Sequence, residues 1–389
     1  MAILFQIASL GVTLNCFTFF AQIWTKEFNV PMSRLAMAFT VMNFTVFFIV
    51  PLCGRLCDQL SVRKLVAAGI VLTALFHATM GFVTGPWQVV ALYGLLLPIC
   101  VALNGLIPAQ TLVSRWFQQG RGFAMGITAF GVQLAGVIFP PIVVALLLAI
   151  GWRATWWVFA AAIVVIVLPI CWLVIRDRPP VDAAVDAKPE PDTMTTRLIL
   201  ARPNVWVMAA SFVAVQIPLQ AFAINLAPFL ASRGVTGQSA AIIATLASAT
   251  AIGAKLLAGL ASDRFGNRIP LIVTAAVAAS GVLVLAFADH FATLALGYGL
   301  LGVCGAQWTL LSTTTAAEFP PSAFGRAYGL ISMFTPLCAL GPIALASAQE
   351  HTGSYGPATV ALAVLAAAGA LIPFAYRQPR AAIGALAPA

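Results

Sequence analysis

The chain has 389 residues, of which 61% are hydrophobic and only 8% are charged, and its formal net charge is +9 at pH 7. Soluble domains contain about a quarter charged residues, so this composition excludes a water-soluble globular domain and predicts that lipid surrounds most of the chain. The apolar runs do not alternate with polar residues as the strands of a membrane barrel do. We therefore predict an all-α membrane protein.

Twelve apolar runs are long enough for membrane-spanning helices, which need about 20 residues each. The runs cover 4–25, 36–56, 65–83, 88–113, 123–149, 153–175, 204–230, 238–261, 269–288, 291–315, 328–348 and 357–376. The first run lacks the basic start of a signal peptide, so we expect it to remain as a membrane helix. Because the chain begins directly at this run, we also expect that a short preceding segment is missing.

The segment between runs six and seven has the composition of a linker. Residues 177–197 are rich in Pro, Asp and Ala and poor in large apolar side chains, so they cannot bury enough surface to fold alone. We predict an N-terminal six-helix bundle over 1–176, a cytoplasmic linker over 177–202 and a C-terminal six-helix bundle over 203–389.

The positive charges favour one side of the membrane. When the loops are assigned alternately to two sides, one side carries fifteen Lys and Arg residues and the other carries four. Positively charged loops stay in the cytoplasm, so both termini are predicted to be cytoplasmic, in an inner or plasma membrane. Membrane topology thus accounts for the basic charge, and we expect no nucleic-acid partner.

The two halves of the chain repeat a short motif. The stretch GRLCDQLSVRKL (54–65) matches GLASDRFGNRIPL (259–271) at an offset of 205, and Gly120-Arg121 matches Gly325-Arg326 at the same offset. Two separate motifs with one offset indicate an internal repeat. Repeated halves around a central site are typical of secondary transporters.

The repeated motif, Gly-x-x-x-Asp followed by basic residues between spans two and three and again between eight and nine, resembles that of the major facilitator superfamily. The resemblance covers nearly the whole chain and implies twelve transmembrane helices in two six-helix halves. The first copy departs from the family pattern at Gln59 and Ser61. Three further stretches, SRWFQQGRGFAMGI (114–127), GWRATWWVFA (151–160) and AAEFPPSAFGRAYGL (316–330), resemble the monocarboxylate transporter and oxalate–formate antiporter group.

The motif also has a physical interpretation as a gate. A carboxylate at a helix end can interact with the N-terminus of a neighbouring helix and with nearby arginines, and these contacts exist only while the cytoplasmic rim is closed. The predicted gate residues are Gly54, Asp58, Arg63, Arg121, Gly259, Asp263, Arg264, Arg268, Glu318 and Arg326. The alternative is that they are ordinary topology charges.

Lys255 lies inside an apolar run, about eight residues or 12 Å before Asp263. A charge at this depth usually faces a cavity or a partner, and none of the eleven Asp and Glu residues falls at mid-depth in a predicted span. We therefore predict that Lys255 contacts an anionic substrate. The alternative is a lysine that reaches the interface or a backbone carbonyl. The family resemblance implies a cationic Arg on helix eight four residues before the motif glycine, which is the position of Lys255 relative to Gly259.

Polar and aromatic residues at mid-depth complete the predicted binding site. Amides bind a carboxylate or hydroxyl without the cost of a buried charge, although each alone is also explained by an interhelical hydrogen bond. The candidates besides Lys255 are Asn15, Phe19, Asn104, Gln133, Gln216, Gln220, Gln307 and Trp308.

The sequence contains no ATP-binding motif, metal-ligand spacing or catalytic cluster, so we expect a secondary carrier without cofactors and not an enzyme. Three energy schemes remain open: the substrate enters with a proton, Lys255 itself titrates, or one anion exchanges for another. The resemblance favours proton-linked uptake.

We predict a monomeric secondary active transporter of small organic anions, with monocarboxylates as the expected class and with alternating access as the mechanism. Its expected partners are the anionic substrate, the lipid bilayer and, in the coupled schemes, protons. The alternatives are an exporter of hydrophobic or aromatic compounds and a membrane receptor that does not transport.

Overall fold

The computed structural model describes residues 12–13, 16–117, 120–175 and 194–377. All regular secondary structure in these ranges is helical. In the first half the helices are α1 (Phe17–Glu27), α2 (Met32–Gln59), α3 (Val62–Met80), α4 (Pro86–Ala91), α5 (Leu97–Asn104), α6 (Leu106–Trp116), α7 (Arg121–Ala162) and α8 (Leu168–Val174).

The second half begins with a short helix and continues with longer ones. These are α9 (Thr196–Leu200), α10 (Pro203–Ile224), α11 (Leu226–Ser232), α12 (Gly237–Phe265), α13 (Arg268–Phe287), α14 (Phe291–Gly302), α15 (Gln307–Glu318), α16 (Phe324–Ser332), α17 (Leu340–Thr352) and α18 (Gly356–Leu371). Three short 3₁₀ segments, Val303–Ala306, Thr335–Ala339 and Ile372–Ala375, connect to or extend these helices.

In the described part of the chain, ten helical segments are long and apolar enough to cross a membrane. One of them, Ile138–Val174, contains Gly151, whose φ of 76° and ψ of 171° interrupt the helix. This interruption falls between predicted spans five and six. The predicted first span, 4–25, lies largely outside the described residues, so the total of twelve helices stays a prediction. The all-helical membrane architecture is confirmed.

Two π-helical segments have a proline as their cause. Leu92–Leu96 joins α4 to α5, and Ile163–Val167 joins α7 to α8. Pro98 and Pro169 follow these segments, and each proline ring crowds the carbonyl four residues earlier, which lies at the centre of the π segment. The widened turn accommodates the ring while the helix continues.

The outer surface is suited to lipid. Large apolar side chains are strongly exposed at many positions, including Leu148 at 85% and Phe287 at 74%. A soluble protein would not present this much apolar surface to water. These exposed apolar side chains are therefore expected to contact the lipid of the bilayer.

The chain divides into two compact units that do not follow the sequence halves strictly. Unit 1 comprises 1–118, 128–193 and 319–333, and unit 2 comprises 119–127, 194–318 and 334–389. Each unit therefore includes one short stretch from the other half. The predicted linker falls mostly outside the described residues, and its last part contains α9. The predicted boundaries of the two bundles stay a prediction.

Each unit has its own aromatic core. In unit 1, Trp24 stacks on Phe20 and Trp156, with ring centroids 5.7 and 6.4 Å away. In unit 2, Phe229 meets Phe222 and Tyr355 edge to face, with centroids 5.2 and 5.4 Å away. Such pairs add to the stability that burial of the rings already provides.

Candidate functional site

The carboxylate of Asp58, near the end of α2, caps the N-terminus of α16 within unit 1. One oxygen accepts a hydrogen bond from the Gly325 backbone N–H at 2.8 Å, and the other accepts from the Arg326 N–H at 2.7 Å. These N–H groups belong to the first turn of α16, where a helix has no internal partner for them. The negative charge also interacts favourably with the positive end of the helix dipole.

The carboxylate of Asp263, near the end of α12, makes the same kind of contact within unit 2. Its two oxygens accept hydrogen bonds from the backbone N–H groups of Gly122 and Phe123 at 2.8 and 3.0 Å. Both groups lie in the first turn of α7. The two carboxylates that the sequence repeat pairs therefore each cap a helix.

Glycines allow the capped helices to approach closely. A Cβ at Gly54 would lie 2.1 Å from the Gly325 carbonyl oxygen, and a Cβ at Gly259 would lie 2.3 Å from the Gly122 oxygen. Real Cβ atoms do not come this near to a carbonyl, so only glycine fits at either position.

The residues that the two carboxylates bind do not correspond at the offset of the sequence repeat. The two offsets differ by two residues. Gly122 occupies the place of Gly325, which is an offset of 203, whereas Gly120-Arg121 and Gly325-Arg326 match at 205. The reason is that each carboxylate binds the second and third residues of a helix, and α7 begins at Arg121 whereas α16 begins at Phe324.

Four other predicted gate residues have side-chain contacts within their own units. Arg121 donates to the Ala316 carbonyl at 2.9 Å, Glu318 accepts from Arg202 at 3.0 Å and from Asn204 at 2.9 Å, and Arg268 donates to the Phe374 carbonyl at 3.1 Å. The guanidinium of Arg63 lies 4.4 Å from the centre of the Trp172 ring, Arg326 is buried, and Arg264 is exposed.

Lys255 lies on α12 and is only 3% exposed. On one side the first part of α7 approaches it, since a Cβ at Gly126 would lie 2.7 Å from the Lys255 carbonyl oxygen. One turn earlier, Ala251 packs against Gly305, just before α15. This burial rules out the possibility that the Lys255 side chain faces the lipid.

The four other predicted binding residues of unit 2 lie on α10 and α15. The ring of Trp308 on α15 meets Phe212 of α10 edge to face, with centroids 4.8 Å apart. Gln216, one turn after Phe212, is buried, and its side-chain oxygen has no partner in the described structure. Gln307 donates to the Thr274 hydroxyl at 3.3 Å. Gln220, one turn further along α10, is half-buried.

The predicted binding residues of the first half belong to unit 1. Asn104 is buried and donates to the Thr73 hydroxyl at 2.9 Å, at the end of α5 where Gly105 interrupts the helix. Phe19 is half-buried on α1 and packs against the aromatic core. Asn15 lies outside the described residues, as does the side chain of Gln133.

The residues predicted from the sequence do not include Thr309, which is one of several buried polar residues with a side-chain atom that lacks a partner among the described residues. Thr309 on α15 is 0% exposed, and its hydroxyl has no partner among the described residues. The sequence offers five hydroxyl residues in this helix and no signal that separates Thr309 from the rest. Across the described ranges, no group of three or more His, Cys, Asp or Glu side chains is placed to hold a metal ion.

Sequence comparison gives matches along the whole chain. The family model of the Major Facilitator Superfamily matches residues 1–233 and 217–389. The chain is 26% identical over 325 residues to the MFS transporter asaE of Aspergillus flavus, covering 80% of this chain and 70% of the relative. It is 26% identical over 306 residues to the Agnestins efflux protein AgnL12 of Paecilomyces divaricatus, covering 76% of this chain and 67% of that protein.

Two solved structures share the fold. A crystal structure of the E. coli fucose:proton symporter FucP matches with a TM-score of 0.70 and 16% identity, covering 97% of this chain and 98% of that one. The human organic anion transporter MFSD10 matches with a TM-score of 0.71 and 13% identity, covering 96% and 97%. Together with the family match over the whole chain, these findings identify the protein as a multi-pass membrane transporter that belongs to the Major Facilitator Superfamily.

Proposed function

We propose that this transporter is a secondary carrier of small organic anions and that Lys255 supplies the positive charge of its binding site. The observation that carries the proposal is the burial of this ammonium group on α12, which packs against the helix α15 that bears Gln307 and Trp308. A charge inside a membrane bundle is costly and is usually retained for function. An anionic substrate would be attracted to such a group.

Monocarboxylates are the first class to test. The motifs of the chain resemble those of the monocarboxylate and oxalate–formate carriers, whose helix eight has a cation at the position of Lys255. A lysine offers a single point charge, whereas an arginine offers a planar fork that binds both carboxylate oxygens. We therefore expect Lys255 to accept anions of varied shape, with neighbouring groups setting their orientation.

We further propose that the Asp58 and Asp263 caps hold one access state of the carrier. Each cap consists of two hydrogen bonds between a carboxylate and a helix N-terminus. Their release in the opposite state would cost a few kcal/mol, which is enough to bias an equilibrium between two states. Proton symport and anion exchange are both compatible with this cycle. The proposed site of action is the plasma membrane, with both termini in the cytoplasm.

The test is uptake by purified protein in proteoliposomes. Radiolabelled acetate, lactate and benzoate would be compared with an uncharged compound of similar size, for the wild type, Lys255→Gln and Lys255→Arg. We expect Lys255→Gln to abolish anion uptake and Lys255→Arg to retain part of it. Full anion uptake by the Gln variant would refute the proposal.

Efflux of hydrophobic compounds is the second candidate function. It is favoured by the 26% identity to the Agnestins efflux protein over 76% of this chain. This alternative predicts transport that does not depend on substrate charge. Equal transport of a neutral aromatic compound by the wild type and by Lys255→Gln would support efflux, and together with full anion uptake by Lys255→Gln it would exclude the anion carrier.

A further inference from the structure

The five hydroxyl residues of α15 fall into two groups. Four of them bond to helix carbonyls: Ser312 to Trp308 at 3.0 Å, Thr313 to Leu310 at 3.2 Å, Thr314 to Leu310 at 2.5 Å and Thr315 to Leu311 at 2.6 Å. This bond to a carbonyl three or four residues earlier is the usual arrangement for Ser and Thr within a helix. The Thr309 hydroxyl is the exception, since it is buried without a partner in the described structure.

The local backbone explains why Thr309 differs. The carbonyls three and four residues before it belong to Ala306 and Gly305, which lie in the 3₁₀ segment Val303–Ala306. Such a segment is wound more tightly than an α-helix, so its carbonyls are not directed at the Thr309 hydroxyl as α-helical carbonyls would be. Buried polar groups are nearly always hydrogen-bonded, so an exception calls for an explanation.

Thr309 and Lys255 lie at the same depth on neighbouring helices of unit 2. Helices α12 and α15 run in the same direction, because Ala251 packs against Gly305 and, further along, Ser262 meets the Thr313 hydroxyl at 3.4 Å. Lys255 follows Ala251 by four residues, and Thr309 follows Gly305 by four residues. Each is therefore about 6 Å, or one turn, beyond the same contact.

The corresponding place in unit 1 has no hydroxyl. In each unit an amide donates to a threonine, Asn104 to Thr73 and Gln307 to Thr274. The residue two positions after the amide is Leu106 in unit 1 and Thr309 in unit 2. The hydroxyl is therefore not a requirement of the shared fold, and it occurs in the unit that contains Lys255.

We propose that the Thr309 hydroxyl is a second substrate ligand, which donates a hydrogen bond to an oxygen of the anion bound by Lys255. This inference rests on the proposed function. A carboxylate has two oxygens, so the ammonium group and the hydroxyl can each bind one of them. Because Lys255 attracts charge without fixing an orientation, the directional bond from Thr309 selects anions that present a second acceptor oxygen.

The experiment uses Thr309→Val, which removes the hydroxyl at constant shape, and Thr309→Ser, which keeps it. Thr314→Val is the matched control, because Thr314 is equally buried in the same helix but bonds to carbonyls of its own helix. The probes are acetate, lactate and benzoate, with affinity measured by calorimetry on the full-length protein in detergent. We expect Thr309→Val to weaken binding about tenfold or more and Thr309→Ser to change it less than about threefold. Thr314→Val should bind as the wild type does.

A second readout separates a substrate ligand from a structural residue. Without ligand, Thr309→Val should melt at the same temperature as the wild type or higher, because valine removes a buried donor that has no partner. A lower melting temperature with unchanged affinity would assign Thr309 a structural role and overturn the inference.

The outcomes distinguish this inference from the proposed function. If the wild type binds the probes, Lys255→Gln loses them and Thr309→Val binds normally, the role of Thr309 is wrong and the anion carrier stands. If the wild type binds none of the anions, both are wrong. Weakened binding in Thr309→Val together with wild-type affinity in Thr314→Val supports both.

Discussion

The stretch Val50–Asp58 of unit 1 and the stretch Lys255–Asp263 of unit 2 use the same backbone contacts with different side chains. Each has a glycine against a partner helix and an aspartate that caps that helix. The carbonyl of Val50 approaches Gly329 as the carbonyl of Lys255 approaches Gly126, at 2.8 and 2.7 Å from a Cβ placed there. Val50 and Lys255 therefore occupy equivalent positions in the two contacts, but one side chain is apolar and the other is positively charged.

The difference between Val50 and Lys255 shows which residues the helix contact requires and which residue is available for transport. The contact requires glycine and aspartate, because both copies have them and each has a geometric reason. It does not require lysine, because valine serves in unit 1. A buried ammonium group that the packing does not need is a candidate for function.

The largest effect is expected from Lys255→Val, which gives the second stretch the residue of the first. Anion uptake should fall by about a hundredfold or more, since truncating one member of a buried charge interaction costs several kcal/mol. The melting temperature should be retained, because Val50 occupies the equivalent position. The measurements are proteoliposome uptake and thermal melting. Retained anion uptake would show that the lysine at position 255 is not needed for transport.

The next effect tests whether both glycines are needed for the close approach. Gly54→Ala and Gly259→Ala should each destabilise the protein by about 1–3 kcal/mol, because the added methyl would overlap a carbonyl of the partner helix. Gly253→Ala is the control in α12, since a Cβ there meets nothing within 4 Å. The melting temperature should fall for Gly54→Ala and Gly259→Ala and should not change for Gly253→Ala. A loss at only one of the two would show that the stretches are not equivalent.

A smaller effect is expected when the caps are neutralised. Asp58→Asn and Asp263→Asn each keep one acceptor oxygen but lose the charge, which weakens hydrogen bonds to the helix N-terminus by about 1–2 kcal/mol. The balance between access states should shift about tenfold, measured as a changed initial rate of uptake. Exposed Glu350, replaced by Gln, is the control. Unequal shifts at 58 and 263 would indicate that one cap dominates.

The smallest effects concern an ion pair in each unit. Glu27 accepts from Arg153 at 2.8 Å and from Trp152 at 2.6 Å, whereas Asp289, 68% exposed, pairs with Arg233. We expect Glu27→Gln to cost about 1 kcal/mol and Asp289→Asn about 0.5 kcal/mol or less, since exposed pairs contribute little. Melting temperatures at low and high salt measure both, and a larger loss at Asp289 would reverse this ranking.

Hydropathy was sufficient to predict the helical membrane fold, because lipid leaves a chain few other ways to satisfy its backbone. The predicted run 238–261 corresponds to Gly237–Phe265, and 269–288 corresponds to Arg268–Phe287. The π segments before Pro98 and Pro169 were not predicted, since a proline in an apolar run is also compatible with a simple kink.

The candidate site was predictable only in part. The repeat identified Asp58, Asp263 and their glycines, because a shared offset survives in the sequence. The residues that the two aspartates bind correspond at an offset two residues smaller than that of the repeat, because each aspartate caps the helix where that helix begins. Thr309 could not be found, because its distinction arises from the path of the backbone before it.

The order of synthesis gives the Asp58 cap a further consequence. Asp58 and Gly325 are separated by 267 positions, so the ribosome completes most of the chain before the capped helix exists. Until then the surface around Gly54 and Asp58 is not covered by α16. A chain that terminates before α16 lacks the two N–H groups that the Asp58 carboxylate binds, so a truncated protein leaves this carboxylate uncompensated.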